Sequence, residues 1–238
     1  MKFLCIFAHP DDEAYGPAGT IARLIAEGAT GYLLTLTQGG AGTLGICKEL
    51  PVEKKKKMRS RELACAAKTL GFKEHFLLDY PDGGLRQIPE EEGIATITEF
   101  LETVRPEVII TFHYGGISGH PDHIATSHWS IKAAQRWKNP NDVYYYGMAP
   151  DTVAHFKNRR LIPIPEEEIH LRINVEAYVS KKVAAIHCHQ SQLELWQQLQ
   201  QTDLDYLDLI QEEVFSLAHS GFSAPLLQQW IMEGRHHV

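Results

Sequence analysis

Positive charge is in short supply in this chain. Across 238 residues, 23 lysines and arginines stand against 30 aspartates and glutamates, a formal net charge of −7. That balance speaks against a nucleic-acid binder or a protein of anionic membrane surfaces. Long hydrophobic runs are missing too: nothing approaches the roughly 18 residues that cross a bilayer. The N-terminal run Phe3–Ala8 is too brief for a signal-peptide core and lacks a small-residue cleavage site. A chain without membrane anchor or targeting segment is therefore expected. Cysteine is sparse, with Cys5, Cys47, Cys65 and Cys188 scattered and no C-x-x-C pair, which points to a reduced, cytoplasmic protein. Repeats, low-complexity tracts and linkers are not apparent either, so one domain over residues 1–238 is expected. Folding at this length buries roughly 70–75% of the unfolded surface, so a metal is not needed merely to hold the chain together, and any metal present is expected to serve chemistry. The partner expected is a small molecule, with self-association into a homo-oligomer left open.

What is present is an alternation of apolar runs and amphipathic stretches. Phe3–Ala8, Tyr32–Thr37, Phe76–Leu78 and Val108–Phe112 read as strands. Ala18–Glu27, Val52–Leu70 and Glu91–Val104 read as helices, the first two stopped by Gly28 and Gly71 and the third by Pro106. Strands alternating with helices imply a Rossmann-like three-layer α/β sandwich: a mostly parallel sheet covered by helices on both faces. The second half is less regular. Val143–Tyr146 and Ile169–Val175 look like further strands, the latter alternating as an edge or antiparallel strand does, and helices are expected over Glu176–His187 and much of Leu193–Ala218.

In open α/β sheets ligands sit beyond the carboxyl ends of the strands, and two of the strands end in unusual chemistry. The first is followed by His9-Pro10-Asp11-Asp12-Glu13. The strand at 108–112 is followed, after a glycine loop, by His120-Pro121-Asp122-His123. Imidazoles and carboxylates gathered on one rim are the ligand set of catalytic zinc, three protein donors with a fourth position left for water. Iron(II) accepts the same set. His9 and Asp12 stand three apart across a proline turn, and His123 completes a two-His, one-Asp site. Asp11, adjacent to the ligands but free of the ion, is the candidate general base. His120, steadied by Asp122 or another carboxylate, is the candidate oxyanion stabiliser and acid. The remaining histidines carry no such pattern, and the His236-His237 pair reads as a tail that meets metal only adventitiously.

With these residues in view, the chain resembles the PIG-L/LmbE-like zinc-dependent de-N-acetylases. Their A-H-P-D-D hallmark stands at Ala8–Asp12 and their H-P-D-H at His120–His123. Further matches are Arg59-x-x-Glu62, the turn Asp82-Gly83-Gly84-Leu85, and His189-x-Ser191-Gln192, all in family order. The resemblance implies zinc on His9, Asp12 and His123, Asp11 as base and His120 as acid. It places Arg59 against substrate, with Asp82 and His189 grouped beside it, and implies an N-acetylglucosamine-type sugar as substrate. One departure is Gly40, where family members often carry glutamate. The stretch Gly40–Gly45 also spells G-x-G-x-x-G, but it follows the second strand rather than the first, and Pro51 interrupts what comes after, so a dinucleotide site is not read there. Rival readings are a zinc amidase or esterase on a non-sugar acyl group, and a non-catalytic carbohydrate-binding protein on the same scaffold. The lysines at 54–57 and Arg59 leave room for an acidic conjugate.

Overall fold

The apolar run behind the first motif cannot leave either face in water, and it forms the middle of the sheet. A computed structural model describes residues 1–43, 45–156, 159–202 and 204–233. Its strands are β1 (Lys2–Phe7), β2 (Thr30–Thr37), β3 (Glu74–Tyr80), β4 (Val108–Phe112), β5 (Asp142–Gly147), β6 (Leu171–Asn174) and β7 (Glu212–Ser220). They lie in the order β3-β2-β1-β4-β5-β7-β6. The first five are parallel, and β7 runs antiparallel between β5 and β6. Phe3 to Phe7 have no exposed surface, as a strand covered on both faces requires.

The helices are α1 (Asp12–Tyr15), α2 (Ala18–Ala26), α3 (Val52–Leu70), α4 (Glu90–Val104), α5 (Gly116–Gly119), α6 (Pro121–Arg136), α7 (Pro150–Ala154), α8 (Val179–Cys188), α9 (Leu193–Leu199), α10 (Tyr206–Leu209) and α11 (Leu226–Glu233). Two groups pack among themselves, α2 and α3 with α8, and α4 with α6. This is the mostly parallel α/β architecture expected. Strand order turns at β1: the chain steps outward through β2 and β3, then returns to place β4 on the other side of β1. The crevice above β1 and β4 is thus the topological switch point, and both histidine motifs leave the sheet there. No helix among the described residues is long and apolar enough to cross a membrane.

Two expectations are corrected. The stretch expected to be helical up to Ala218 holds only two short helices, α9 and α10, and then the strand β7. Val214 and Phe215 are buried between β5 and β6, so β-favouring residues packed on two faces outweigh a helical reading. The cysteines are not all reduced: Cys65 on α3 is bonded to Cys188 at the end of α8, with Cα atoms 5.6 Å apart. The packing of α3 on α8 makes the pair, across 123 residues of sequence, and it removes the cysteine argument for a reducing compartment. His236 and His237 lie outside the described residues.

Candidate functional site

After Phe7 the chain turns through His9 and Pro10 and begins α1 at Asp12. The turn is tied by its own groups: the His9 amide donates to Asp12 Oδ2 at 2.7 Å, and the Ala14 and Tyr15 amides donate to the Asp11 carbonyl. Asp11 adopts φ 116°, a conformation that disfavours any side chain and is found where surrounding contacts over-determine it. On the other strand, Phe112 leads into the glycine turn 115–116 and α5, and His120 then caps α6, its Nδ1 accepting the Asp122 amide at 3.2 Å. Pro121 takes the first helical position, where its missing N–H costs nothing. His123, one turn in, stacks flat on Phe112 with ring centroids 4.0 Å apart.

The structure brings His9, Asp12 and His123 together. His9 Nδ1 lies 3.2 Å from His123 Nε2 and 3.5 Å from Asp12 Oδ2, and His123 Nε2 lies 3.3 Å from Asp12 Oδ1. The partners on the far side of each ring assign the tautomers. His9 Nε2 faces two carboxylates, Asp82 Oδ1 at 3.1 Å and Asp122 Oδ2 at 3.2 Å, so it carries hydrogen. His123 Nδ1 faces the Gly116 carbonyl at 3.2 Å, so it does too. In the neutral rings, therefore, two nitrogen lone pairs point at each other beside a carboxylate, an arrangement that calls for a cation between them. Donors held at about 2.0–2.1 Å in a tetrahedral shell stand about 3.3–3.4 Å apart, close to the three separations found. The donor set thus fits a divalent metal, with outer carboxylates orienting His9 as metal-bound imidazoles require. His120 adds another nitrogen: one donor atom each from His9, His120 and His123 falls within 4.8 Å of the others, as do those of His9, Asp82 and Asp122.

Charge follows the geometry. Burial works against a charged His9, yet hydrogen bonds to Asp12, Asp122 and Asp82 hold its pKa well above the ordinary imidazole value. Burial likewise disfavours ionised Asp12, but the adjoining His123 and His9 hold its carboxyl well below the usual range. Burial pushes Asp11 up to about 6, against the pull of Arg59, whose guanidinium lies 3.0 Å from Asp11 Oδ2. The role expected of Asp122 is corrected: its carboxylate takes the Gly83 and Leu85 amides and faces His9, and only its amide meets His120. The helix start spends the Asp122 amide on His120 and turns the carboxylate to the turn at 83–85. Burial, His123 and His9 lower the pKa of His120 against the pull of Asp122 and Asp12, and because its Nδ1 accepts the Asp122 amide, its Nε2–H is the donor.

The three residues expected against substrate are engaged with the site's own groups. Arg59 spans Asp11, the Pro10 carbonyl and the Gly39 carbonyl. A Cβ at Gly39, which holds φ 68°, would lie 2.5 Å from that guanidinium, so glycine is required where the loop closes over Arg59. Asp82 holds His9 and the Ala41 amide. His189 is wholly buried, its Nε2 2.6 Å from Glu13 Oε1, while Glu13 Oε2 accepts the Asp11 amide at 3.1 Å. Glu62 accepts both the amide and the hydroxyl of Ser191. The later motifs thus brace the first one. Lys55 and Lys56 are also taken, by the Gly42 carbonyl and Asp79. Sequence reasoning missed the bracing by Glu13, whose only signal is a carboxylate directly after the ligand, and it missed the walls of the cavity. That cavity, about 190 Å³, starts at Asp11, Asp12 and His123 and runs toward α9 and α10.

Comparison with known proteins places these features in company. Residues 4–134 match the family described as GlcNAc-PI de-N-acetylase. The 1D-myo-inositol 2-acetamido-2-deoxy-alpha-D-glucopyranoside deacetylase of Saccharomonospora viridis is 28% identical over 231 residues, covering 80% of this chain and 84% of that protein. A second such deacetylase, from Saccharopolyspora erythraea, is 27% identical and covers 91% and 90%. Among solved structures, the N,N'-diacetylchitobiose deacetylase of Pyrococcus horikoshii superposes with TM-score 0.71 at 20% identity, covering 96% of this chain and 88% of that one. The 4-carboxy-2-hydroxymuconate hydratase of Pseudomonas putida does so with TM-score 0.68 at 20% identity, covering 95% and 100%. At such identities the two structures speak for the fold alone.

Proposed function

Since the chain belongs to the GlcNAc-PI de-N-acetylase family and is an N-deacetylase hydrolase, we propose that it removes the acetyl group from an N-acetylglucosamine-type sugar or conjugate, with zinc held by His9, Asp12 and His123. The observation that carries this reading is the pair of imidazole lone pairs facing each other beside a carboxylate, with a second, metal-free carboxylate on the adjoining residue. When bound, the divalent cation supplies Lewis acidity toward the acetyl oxygen and the attacking water.

The chain's own residues do the rest. Asp11 removes a proton from water as the oxygen adds to the acetyl carbon, and its φ 116° backbone and Arg59 fix where that carboxylate points. His120, its Nδ1 taken by the Asp122 amide, donates Nε2–H toward the oxygen that gains charge. As the carbon–nitrogen bond breaks, the nitrogen takes the proton that Asp11 removed from the water and leaves as the amine, and acetate remains. Asp82 and Asp122 keep the Nδ1 lone pair of His9 turned inward by accepting at Nε2.

The test is Asp11→Asn. It is expected to retain bound metal at wild-type stoichiometry while acetate release falls by about 10²–10⁴-fold; His9→Ala is expected to lose the metal as well. Full turnover in Asp11→Asn overturns the mechanism.

A further inference from the structure

The cavity that begins at the catalytic groups is far larger than an acetyl methyl needs, and its wall is mainly apolar, with the hydroxyls of Tyr15, Ser118, Thr152 and Tyr206 set among the apolar side chains. At about 190 Å³ it exceeds the roughly 150 Å³ of an apolar cavity that admits benzene. Beyond Asp11, Asp12 and His123 its lining includes Met148, Phe156, Leu195, Leu199, Leu209 and Ile210. Charged groups on that wall are occupied elsewhere: Lys182 donates to the Gly16 carbonyl and Glu213, and Glu212 accepts from Arg172. Arg159 is exposed to solvent. Leu204, just before α10, and Leu207, on it, stand 50% and 40% exposed. A cyclitol or second sugar in this space would set hydroxyls against Met148, Phe156, Leu195, Leu199, Leu209 and Ile210, which offer them no partner, and each unpaired hydroxyl costs affinity.

We infer that the substrate carries an apolar substituent on its amino sugar, an alkyl or aryl group of about six carbons or more, seated between α9, α10 and β5. The inference rests on the proposed deacylation at the adjoining catalytic groups and names the substrate class for it. The same chemistry recognises such a group whether it enters as the aglycone or as a longer N-acyl chain.

The experiment compares kcat/KM for amine release by the zinc-loaded protein on four compounds: octyl N-acetyl-β-D-glucosaminide, N-octanoylglucosamine, methyl N-acetyl-β-D-glucosaminide and N-acetylglucosaminyl inositol. Each methylene buried is worth about fourfold, so at least one octyl compound is expected to exceed both the methyl glycoside and the inositol conjugate by tenfold or more. Which one does so identifies the source of the chain. Leu199→Gln is expected to cut that ratio at least threefold. Equal or better turnover of the methyl glycoside and inositol conjugate overturns the inference while leaving deacetylation intact. If none of the four is cleaved, the proposed reaction fails, and calorimetric binding to Asp11→Asn decides the rest: octyl compounds bound tenfold more tightly than the inositol conjugate support the apolar seat, and equal binding overturns it.

Discussion

The two ends of the sheet carry different responsibilities. From β3 through β4 every strand is parallel, and the groups proposed to hold the cation and activate the water come from beyond the ends of β1 and β4. From β5 onward the sheet turns antiparallel, and its connections supply α9, α10 and the apolar wall of the cavity. On the proposed reading, reactivity and substrate shape are built on separate parts of one sheet, so that the second can be altered without disturbing the first. The two parts meet along β4 and β5 and where α8 packs on α2 and α3, and the side chains that cross these seams are the points where the division can be tested.

The strongest joint is Glu213 on β7. It is 2% exposed, accepts the Gly19 and Thr20 amides at the start of α2, and pairs with Lys182 of α8 at 2.7 Å. Removing one partner of a buried pair strands the other charge, at a cost of about 3–5 kcal/mol. Glu213→Ala is therefore expected to lose that much stability in denaturant unfolding, with both ends of the sheet melting together. A variant as stable as the parent would mean that β7 is an appendage rather than a brace.

How much of this was legible in the sequence follows the same division. The strands at 3–8 and 108–112 are mainly apolar runs, the first followed at once and the second after a glycine loop by metal-type residues, so the elements and the motif positions are readable from the sequence. Strand β7 is not: Val214 to Ser216 are buried in succession, so neither a period of two nor of 3.6 shows, and its partner β5 ends 65 residues earlier, with no turn signal between them. The partners of His9 were equally hidden. Asp82 and Asp122 meet one ring nitrogen only because the turn at 81–84 folds against the start of α6, a contact that spacing does not announce.

The second joint is covalent. Cys65 and Cys188 connect the helix bearing Arg59 and Glu62 to the residue before His189, and Cys65 is exposed enough for a reductant to reach it. Cys65→Ser is expected to lower stability by about 2–4 kcal/mol, and reduction of the parent should reproduce that loss. Identical unfolding curves for oxidised and reduced protein would show that α3 and α8 need no clasp.

The smallest expected change is electrostatic and lies at the pair linking the ends through Glu13 and His189. Burial opposes a charged His189, but the charge of Glu13 and the hydrogen bond between them, with Asp11 adding to it, raise its pKa above the ordinary value. A group whose pKa is higher folded than unfolded binds more protons in the native state, so its contribution is complete below the unfolded value of about 6.5 and is lost as pH rises through the folded value. His189→Gln cannot take up that proton. The stability difference between parent and His189→Gln, followed by denaturant unfolding across neutral pH, is therefore expected to shrink as the solution becomes more alkaline. A difference that stays flat, or grows with pH, would mean that His189 is held neutral and braces Asp11 through geometry alone.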